Sequence, residues 1–172
     1  KNASNQHYVD MFSAPVSTNI SWQFELPHAV TNASALEPVI SGKALFFHSH
    51  SYLYSLDRKT GQINWRFKLG APVLKHLIYK DNALYLIKDG EIPTLISLQA
   101  DTGTLLYKRP LESAHYSDPI ISAGHLFIVD NHKLKSFIAK TGKLRWQIDQ
   151  SFDPSFHPVV SGNMLFVLDT DH

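Results

Sequence analysis

The chain has 172 residues, of which 44% are hydrophobic and 18% are charged. This composition is typical of a folded globular protein and excludes a disordered tail. The net charge of +1, with histidine neutral, gives no electrostatic footprint for nucleic-acid binding, which depends on clustered basic faces. The absence of cysteine excludes disulfide frameworks, thiolate zinc sites and cysteine nucleophiles.

Residues 1–14 are polar, rich in Asn and Ser, and show no periodicity, so we predict a tether ahead of a folded region at residues 15–172. Because the chain begins at Lys1, we expect a processed or trimmed product. N-glycosylation sequons begin at Asn2, Asn19 and Asn32. We interpret them as part of a polar leader, the alternative being a glycosylated luminal protein.

The first predicted element is a lone strand, Ile20–Phe24, centred on Trp22. A group of four short strands follows, because apolar runs and period-two alternation are interrupted by polar turns. These strands are predicted at Pro38–Ile40, Ala44–His48, Tyr52–Leu56 and Gln62–Phe67.

The same order of strands then returns twice in full and once in part. The second copy is predicted at Pro72–Leu74, Ala83–Ile87, Thr94–Leu98 and Leu105–Tyr107. The third is predicted at Pro119–Ile121, Leu126–Val129, Leu134–Ile138 and Leu144–Ile148, and a fourth begins with Pro158–Val160 and Met164–Leu168. Four antiparallel strands in roughly forty residues are typical of one β-propeller blade.

A Thr-Gly pair precedes the last strand of each full copy, and an aromatic residue follows four positions after the glycine. Glycine allows the positive φ that a tight hairpin needs, and the aromatic is predicted to fill the gap between neighbouring blades. The aromatics recur at intervals of 43, 42 and 39 residues. The predicted structural blade residues are Trp22, Thr60, Gly61, Trp65, Thr102, Gly103, Tyr107, Thr141, Gly142 and Trp146.

The corner motif, the Pro-Val opening of a copy and the Tyr-Leu third strand resemble the pyrroloquinoline-quinone (PQQ)-type β-propeller repeat. Within these repeats the chain most resembles the outer-membrane β-barrel assembly lipoproteins, the assembly factor B group. The resemblance implies an all-β propeller with about three full four-stranded blades plus partial first and last blades, an incomplete ring. In that group the strand equivalent to Ile20–Phe24 closes the ring by pairing with the final blade.

Two interpretations of the incomplete ring follow. Either the chain is a fragment of a longer propeller, or four blades close by themselves with the Trp22 strand completing the last one. We favour the fragment, because Asp169–His172 supplies no third strand for the last blade.

No catalytic, cofactor or metal site is predicted. Quinone-dependent dehydrogenases share the repeat, but the resemblance implies a vicinal cysteine pair over the quinone, which this chain lacks. His48 and His50 have a spacing that suits a metal but no third ligand, so we interpret them as solvated loop histidines. His125 and His132 are interpreted in the same way.

The stretch between the third and fourth copies departs from the repeat. It carries Phe152, Asp153 and Phe156, with two large apolar residues in a predicted surface loop. The assembly lipoproteins use the loop after their third repeat to grip the barrel-assembly subunit, which makes these three residues candidate partner contacts. The alternative is that both phenylalanines pack under the rim.

These observations predict a non-enzymatic, periplasmic, outer-membrane-associated scaffold with no cofactor. Its partners would be other envelope proteins, with no nucleic acid and no small-molecule substrate. The alternatives are a structural subunit of another envelope complex such as a secretion system, a fragment of a PQQ-dependent dehydrogenase, or a luminal stress-sensor domain.

Overall fold

A computed structural model of the chain describes residues 20–25, 38–49, 51–70, 77–88 and 90–170. Within these ranges the regular structure is entirely β, in three four-stranded antiparallel sheets and one two-stranded sheet. The strands of each sheet follow one another in chain order, as in a propeller blade. The predicted all-β fold of four-stranded blades is confirmed, whereas the tether predicted at residues 1–14 lies outside the described residues.

The strand bounds show the repeat. The first blade contains β1 (Val39–Ser41), β2 (Ala44–Ser49), β3 (Tyr52–Asp57) and β4 (Ile63–Lys68). The second contains β5 (Ile78–Lys80), β6 (Ala83–Lys88), β7 (Thr94–Gln99) and β8 (Leu105–Pro110). The third contains β9 (Ile120–Ser122), β10 (His125–Asp130), β11 (Lys133–Ile138) and β12 (Lys143–Ile148), and the fourth contains β13 (Val159–Ser161) and β14 (Met164–Phe166). No helix in the described ranges has the length and apolarity that crossing a bilayer requires.

The first strand of the second blade differs from its prediction. Ile78–Lys80 takes that position and pairs with β6, whereas the predicted Pro72–Leu74 lies outside the described residues. The turn between β5 and β6 is made by Asp81 and Asn82, both at positive φ (50° and 58°). Such a two-residue turn matches the twist of a hairpin and ties β5 directly to β6.

The core lies between the sheets. We call the face of a sheet that packs on the next sheet its leading face, and the opposite face its trailing face. Phe46 on the leading face of the first blade shares a buried cluster with Leu84 and Leu86 on the trailing face of the second. Because both faces of a blade are covered, Leu53–Leu56 in β3 are all buried, and the half-buried alternation expected there is absent.

The segment before the first blade also differs from its prediction. Residues 20–25 form no strand within the described ranges, so the pairing expected for Ile20–Phe24 is not observed. The segment instead packs on the trailing face of the first blade, where Phe24 makes edge contacts with Phe47 and Tyr54 at 5.8 and 5.9 Å between ring centroids.

Candidate interaction surface

The predicted blade residues meet across the sheet interfaces. The side chain of Trp65 extends from β4 and lies over the Gly103 corner of the second blade. There its indole Nε1 donates a hydrogen bond to the Ala100 carbonyl at 2.8 Å. A Cβ on Gly103 would lie 2.6 Å from Cδ2 of that indole. Only glycine therefore allows the ring and the corner to come this close.

The other corners repeat this contact. Tyr107 covers Gly142, and its hydroxyl donates to the Ala139 carbonyl at 2.9 Å. Trp22 covers Gly61 in the same way, with its Nε1 donating to the Arg58 carbonyl at 2.9 Å. Each of these three aromatics, Trp22, Trp65 and Tyr107, thus clamps the corner of the blade that follows it.

The threonines organise the corners from inside. In each corner, the hydroxyl oxygen of the threonine accepts a hydrogen bond, at 3.3 Å, from the backbone N–H of the residue two positions later. The threonines are Thr60, Thr102 and Thr141. The three glycines have φ of +72°, +69° and +65°, in the left-handed region. The ring of Trp146, the last aromatic, lies 5.9 Å from that of Phe127 between centroids, and Trp146, like Leu165 and Val167, packs on the buried cluster that contains Phe152.

In the loop from β12 to β13, the two phenylalanines for which the sequence leaves open exposure or packing under the rim have different surroundings. Phe152 is buried, with 6% of its surface exposed, beside Val129 and Leu134. Its backbone N–H donates to the His132 carbonyl at 2.8 Å. The prediction of Phe152 as a partner contact is therefore corrected, because its ring anchors the loop to the third blade.

Phe156 is the phenylalanine that faces solvent, with 52% of its surface exposed. It ends a turn in which its N–H donates to the Asp153 carbonyl at 3.3 Å. The Asp153 carboxylate accepts the Ser155 N–H at 2.8 Å, and this hydrogen bond lowers the pKa of Asp153. Asp153 thus shapes the turn that presents Phe156.

A buried ionic cluster was not predicted. Lys135 and Asp130 are 3% and 1% exposed, and Lys135 Nζ lies 2.7 Å from both Asp130 Oδ2 and Glu112 Oε1. The hydrogen bond from Lys135 lowers the pKa of Glu112. The sequence does contain a signal for this cluster. Lys135 is a charged residue at a strand position where the equivalent strands β3 and β7 have the apolar or aromatic residues Tyr54 and Ile96.

The histidines lie in separate places. His48 is buried within β2, which extends to Ser49, and burial lowers its pKa, so its interpretation as a solvated loop residue is wrong. His50 lies outside the described residues. His125 begins β10, with Nε2 2.7 Å from Arg145 Nη1. Among the residues that the structure describes, no three His, Asp or Glu side chains are grouped to hold a metal ion.

Comparison with known proteins identifies the repeat. A family model described as outer membrane protein assembly factor BamB matches residues 8–106 and 49–172. The BamB of Legionella pneumophila (strain Paris) is 27% identical over 158 residues, which are 86% of this chain and 40% of that protein. The chain therefore spans about 40% of the length of this curated relative.

Solved structures share the fold. BamB from Moraxella catarrhalis superposes with a TM-score of 0.61 at 18% identity, over 74% of this chain and 40% of that one. The computationally designed Ika4 protein gives 0.61 at 16% identity, over 78% of this chain and 84% of its own. A europium-containing methanol dehydrogenase gives 0.51 at 19% identity, over 64% and 23% of the two chains.

The fold and the sequence comparison agree. The three aromatic–glycine clamps recur once per four-stranded blade, and the family model covers both halves of the chain. The chain belongs to the PQQ-like β-propeller family described as outer membrane protein assembly factor BamB.

Proposed function

We propose that this chain is a non-enzymatic scaffold in the periplasm, associated with the outer membrane, that holds proteins of an outer-membrane assembly complex together. Membership of the BamB family supports this role. The relative from Legionella pneumophila is named for outer-membrane protein assembly. The observation that carries the proposal is the exposed Phe156, presented by a loop that is itself fixed to the third blade.

The loop suits a contact of this kind because little of it has to be ordered on binding. Phe152 anchors one side under the third blade, and Asp153 is tied to the fourth blade by its N–H, which donates to the Leu168 carbonyl at 3.1 Å. A partner that buries the Phe156 ring would gain about 1.5–3 kcal/mol from its transfer out of water. Because the loop is already fixed, less of this gain is lost to conformational entropy.

The outer strands offer a second means of attachment. Within the described part of the chain, β4, β8 and β12 each pair with a single strand of their own sheet, which leaves their outer edges without a strand partner there. An extended segment of a partner can add to such an edge through backbone hydrogen bonds. Several partners could therefore be held at different blades.

The test is a deletion of the gene in its own organism, with quantification of β-barrel proteins in isolated outer membranes. We expect the deletion to lower their amount and the wild-type gene to restore it. Phe156→Asp should restore less, because a buried charge opposes the contact. An unchanged outer-membrane profile in the deletion strain would refute the role, and a selective loss of secreted proteins would favour the secretion-system alternative.

The matched control is Ile92→Asp. Ile92 is also a loop residue and is 59% exposed, but it lies in the second blade, away from the loop after β12. It should restore the outer-membrane proteins as the wild type does. Equal impairment by both variants would mean that Phe156 has no special part in the contact.

A further inference from the structure

The first turn and the Thr-Gly corner of each four-stranded blade lie together at one end of the strands. In each blade a backbone hydrogen bond of 2.8 or 2.9 Å joins the corner to the turn, with Arg58, Ala100 and Ala139 as donors and the carbonyls of Lys43, Asn82 and Gly124 as acceptors. The aromatic clamps join each corner to the neighbouring blade. We call this end of the molecule the corner face, and it comprises residues 41–44, 57–63, 80–83, 99–105, 122–125 and 138–144.

The corner face carries an excess of positive charge. Its six basic residues, all exposed, are Lys43, Arg58, Lys59, Lys80, Lys140 and Lys143, and its three acidic residues are Asp57, Asp81 and Asp101. The whole chain has a net charge of only +1. At the opposite end of the blades, where Phe156 lies, most charges of the described residues are acidic, among them Glu91, Glu112, Asp149 and Asp153. Charge is therefore segregated between the two ends of the blades.

The acidic residues of the corner face do not neutralise its lysines. The Asp57 carboxylate accepts the backbone N–H groups of Lys59 and Thr60 at 2.9 and 2.8 Å, and the Asp101 carboxylate accepts the side-chain amide of Asn82 at 2.6 Å. Within the described ranges, none of the five lysines of the corner face forms an ion pair. Their ammonium groups therefore face solvent and can meet an anionic surface.

Aliphatic side chains lie among these charges. Ile63, Leu105 and Leu144 each follow the corner glycine by two residues and are 48%, 40% and 45% exposed. Leu106 is also 40% exposed. The second blade packs on the first and on the third, so the exposure of Leu105 and Leu106 belongs to a blade that is covered on both faces. Aliphatic and basic side chains on one surface are typical of contact with the headgroup region of a bilayer.

This chemistry fits a membrane better than an acidic protein. Five of the six basic residues are lysines, which are hydrated point charges, whereas arginine suits the paired gripping of a carboxylate. The lysines are spread over the turns and corners of three blades, as the separate phosphates of a bilayer require. We propose that the corner face lies against a bilayer containing anionic phospholipids, with its lysines among the phosphates and its aliphatic side chains at headgroup level. Phe156 then faces away from the bilayer, and the inference does not depend on the proposed function.

The first test is flotation of the chain with vesicles of phosphatidylglycerol and phosphatidylethanolamine, compared with vesicles of phosphatidylcholine. We expect binding to the anionic vesicles at low ionic strength. Most of it should be lost in about 1 M salt, where charges are screened beyond about 3 Å. A chain that does not float with the anionic vesicles, or that floats equally with both kinds, would overturn the proposal.

Charge reversals locate the contact. Lys59→Glu combined with Lys140→Glu should weaken binding to the anionic vesicles at least roughly tenfold, because each basic residue near an anionic surface adds to the attraction. The matched control combines Lys68→Glu with Lys88→Glu, which makes the same change of charge at the ends of β4 and β6 away from the corners. It should retain most of the binding. Equal losses would show that only the net charge matters and would overturn the corner face as the contact.

The aliphatic part of the contact is tested by Leu105→Ser, which should weaken binding roughly threefold or more. Its control is Ile92→Ser, at the opposite end of the second blade, which should bind as the wild type does. Equal effects of the two would contradict the contact. Urea denaturation of each variant separates a loss of binding from a loss of folding. Retention of the wild type on immobilised polyglutamate, with no binding to the anionic vesicles, would assign the corner face to an acidic protein and overturn the membrane contact.

Discussion

Replacing Gly103 by alanine is expected to destabilise the fold by about 2–5 kcal/mol, in two parts. Gly103 has φ +69°, and holding a non-glycine residue in the left-handed region costs about 1–2 kcal/mol. The new Cβ would also lie 2.6 Å from the Trp65 ring, and overpacking of this kind costs about 1–3 kcal/mol. The ring cannot withdraw without losing its hydrogen bond to the Ala100 carbonyl.

Gly124→Ala separates the two parts. Gly124 has φ +76°, but no atom lies within 4 Å of the position that its Cβ would take. Only the backbone cost of about 1–2 kcal/mol should therefore appear. The free energy of unfolding is measured from urea denaturation followed by far-UV circular dichroism. Equal losses for Gly103→Ala and Gly124→Ala would refute the clamp between Trp65 and the corner.

A Trp65→Ala background tests the same contact from the other side. The three atoms nearest to the added methyl group at Gly103 all belong to Trp65, so without the ring Gly103→Ala should cost about what Gly124→Ala costs in the wild type. The difference between the cost of Gly103→Ala in the wild type and its cost in the Trp65→Ala background is the coupling energy of the two residues. If the full penalty persisted in the Trp65→Ala background, the strain would arise from the corner alone.

Two further predictions concern buried ionisable groups. Asp130→Ala should cost about 1–3 kcal/mol in urea denaturation, because it removes one of the two carboxylates that pair with the buried Lys135 and leaves Glu112 as the other. Asp130→Ala combined with Lys135→Met should recover most of that loss, and equal instability of the single and double variants would contradict this. Burial lowers the pKa of His48, so its contribution to stability is complete above the unfolded value of 6.5 and is lost as the pH falls through the lowered folded value. The urea midpoint of His48→Leu should consequently fall less than that of the wild type between about pH 7.5 and about pH 5, and parallel falls would be the contrary result.

The blade architecture could be predicted because it depends on local rules. A Thr-Gly corner needs a residue that tolerates positive φ, and the aromatic after it recurs with the blade. Both features, the Thr-Gly pair and the aromatic residue four positions after the glycine, can be found directly in the sequence. Gly103 and Trp65 could thus be named in advance as blade residues.

The burial of individual side chains could not be predicted in this way, because it depends on contacts between blades. Phe152 and Phe156 have the same chemistry and the same loop, yet only Phe152 meets the third blade. His48 was interpreted as a solvated loop histidine because it is the last residue of the predicted strand, whereas the strand continues to Ser49 and buries it. Ile78–Lys80 was missed because the Pro-Val opening of the other blades drew the prediction to Pro72–Leu74.

The direction of the clamps has a consequence for the order in which the protein is made. Each aromatic is synthesised before the corner that it covers, as Trp65 precedes Gly103. Where the chain emerges amino terminus first into the compartment in which it folds, each new blade therefore meets a predecessor whose indole or phenol ring is already in place. Assembly that starts at the amino terminus can add one blade at a time, each seated by the chain that emerged before it.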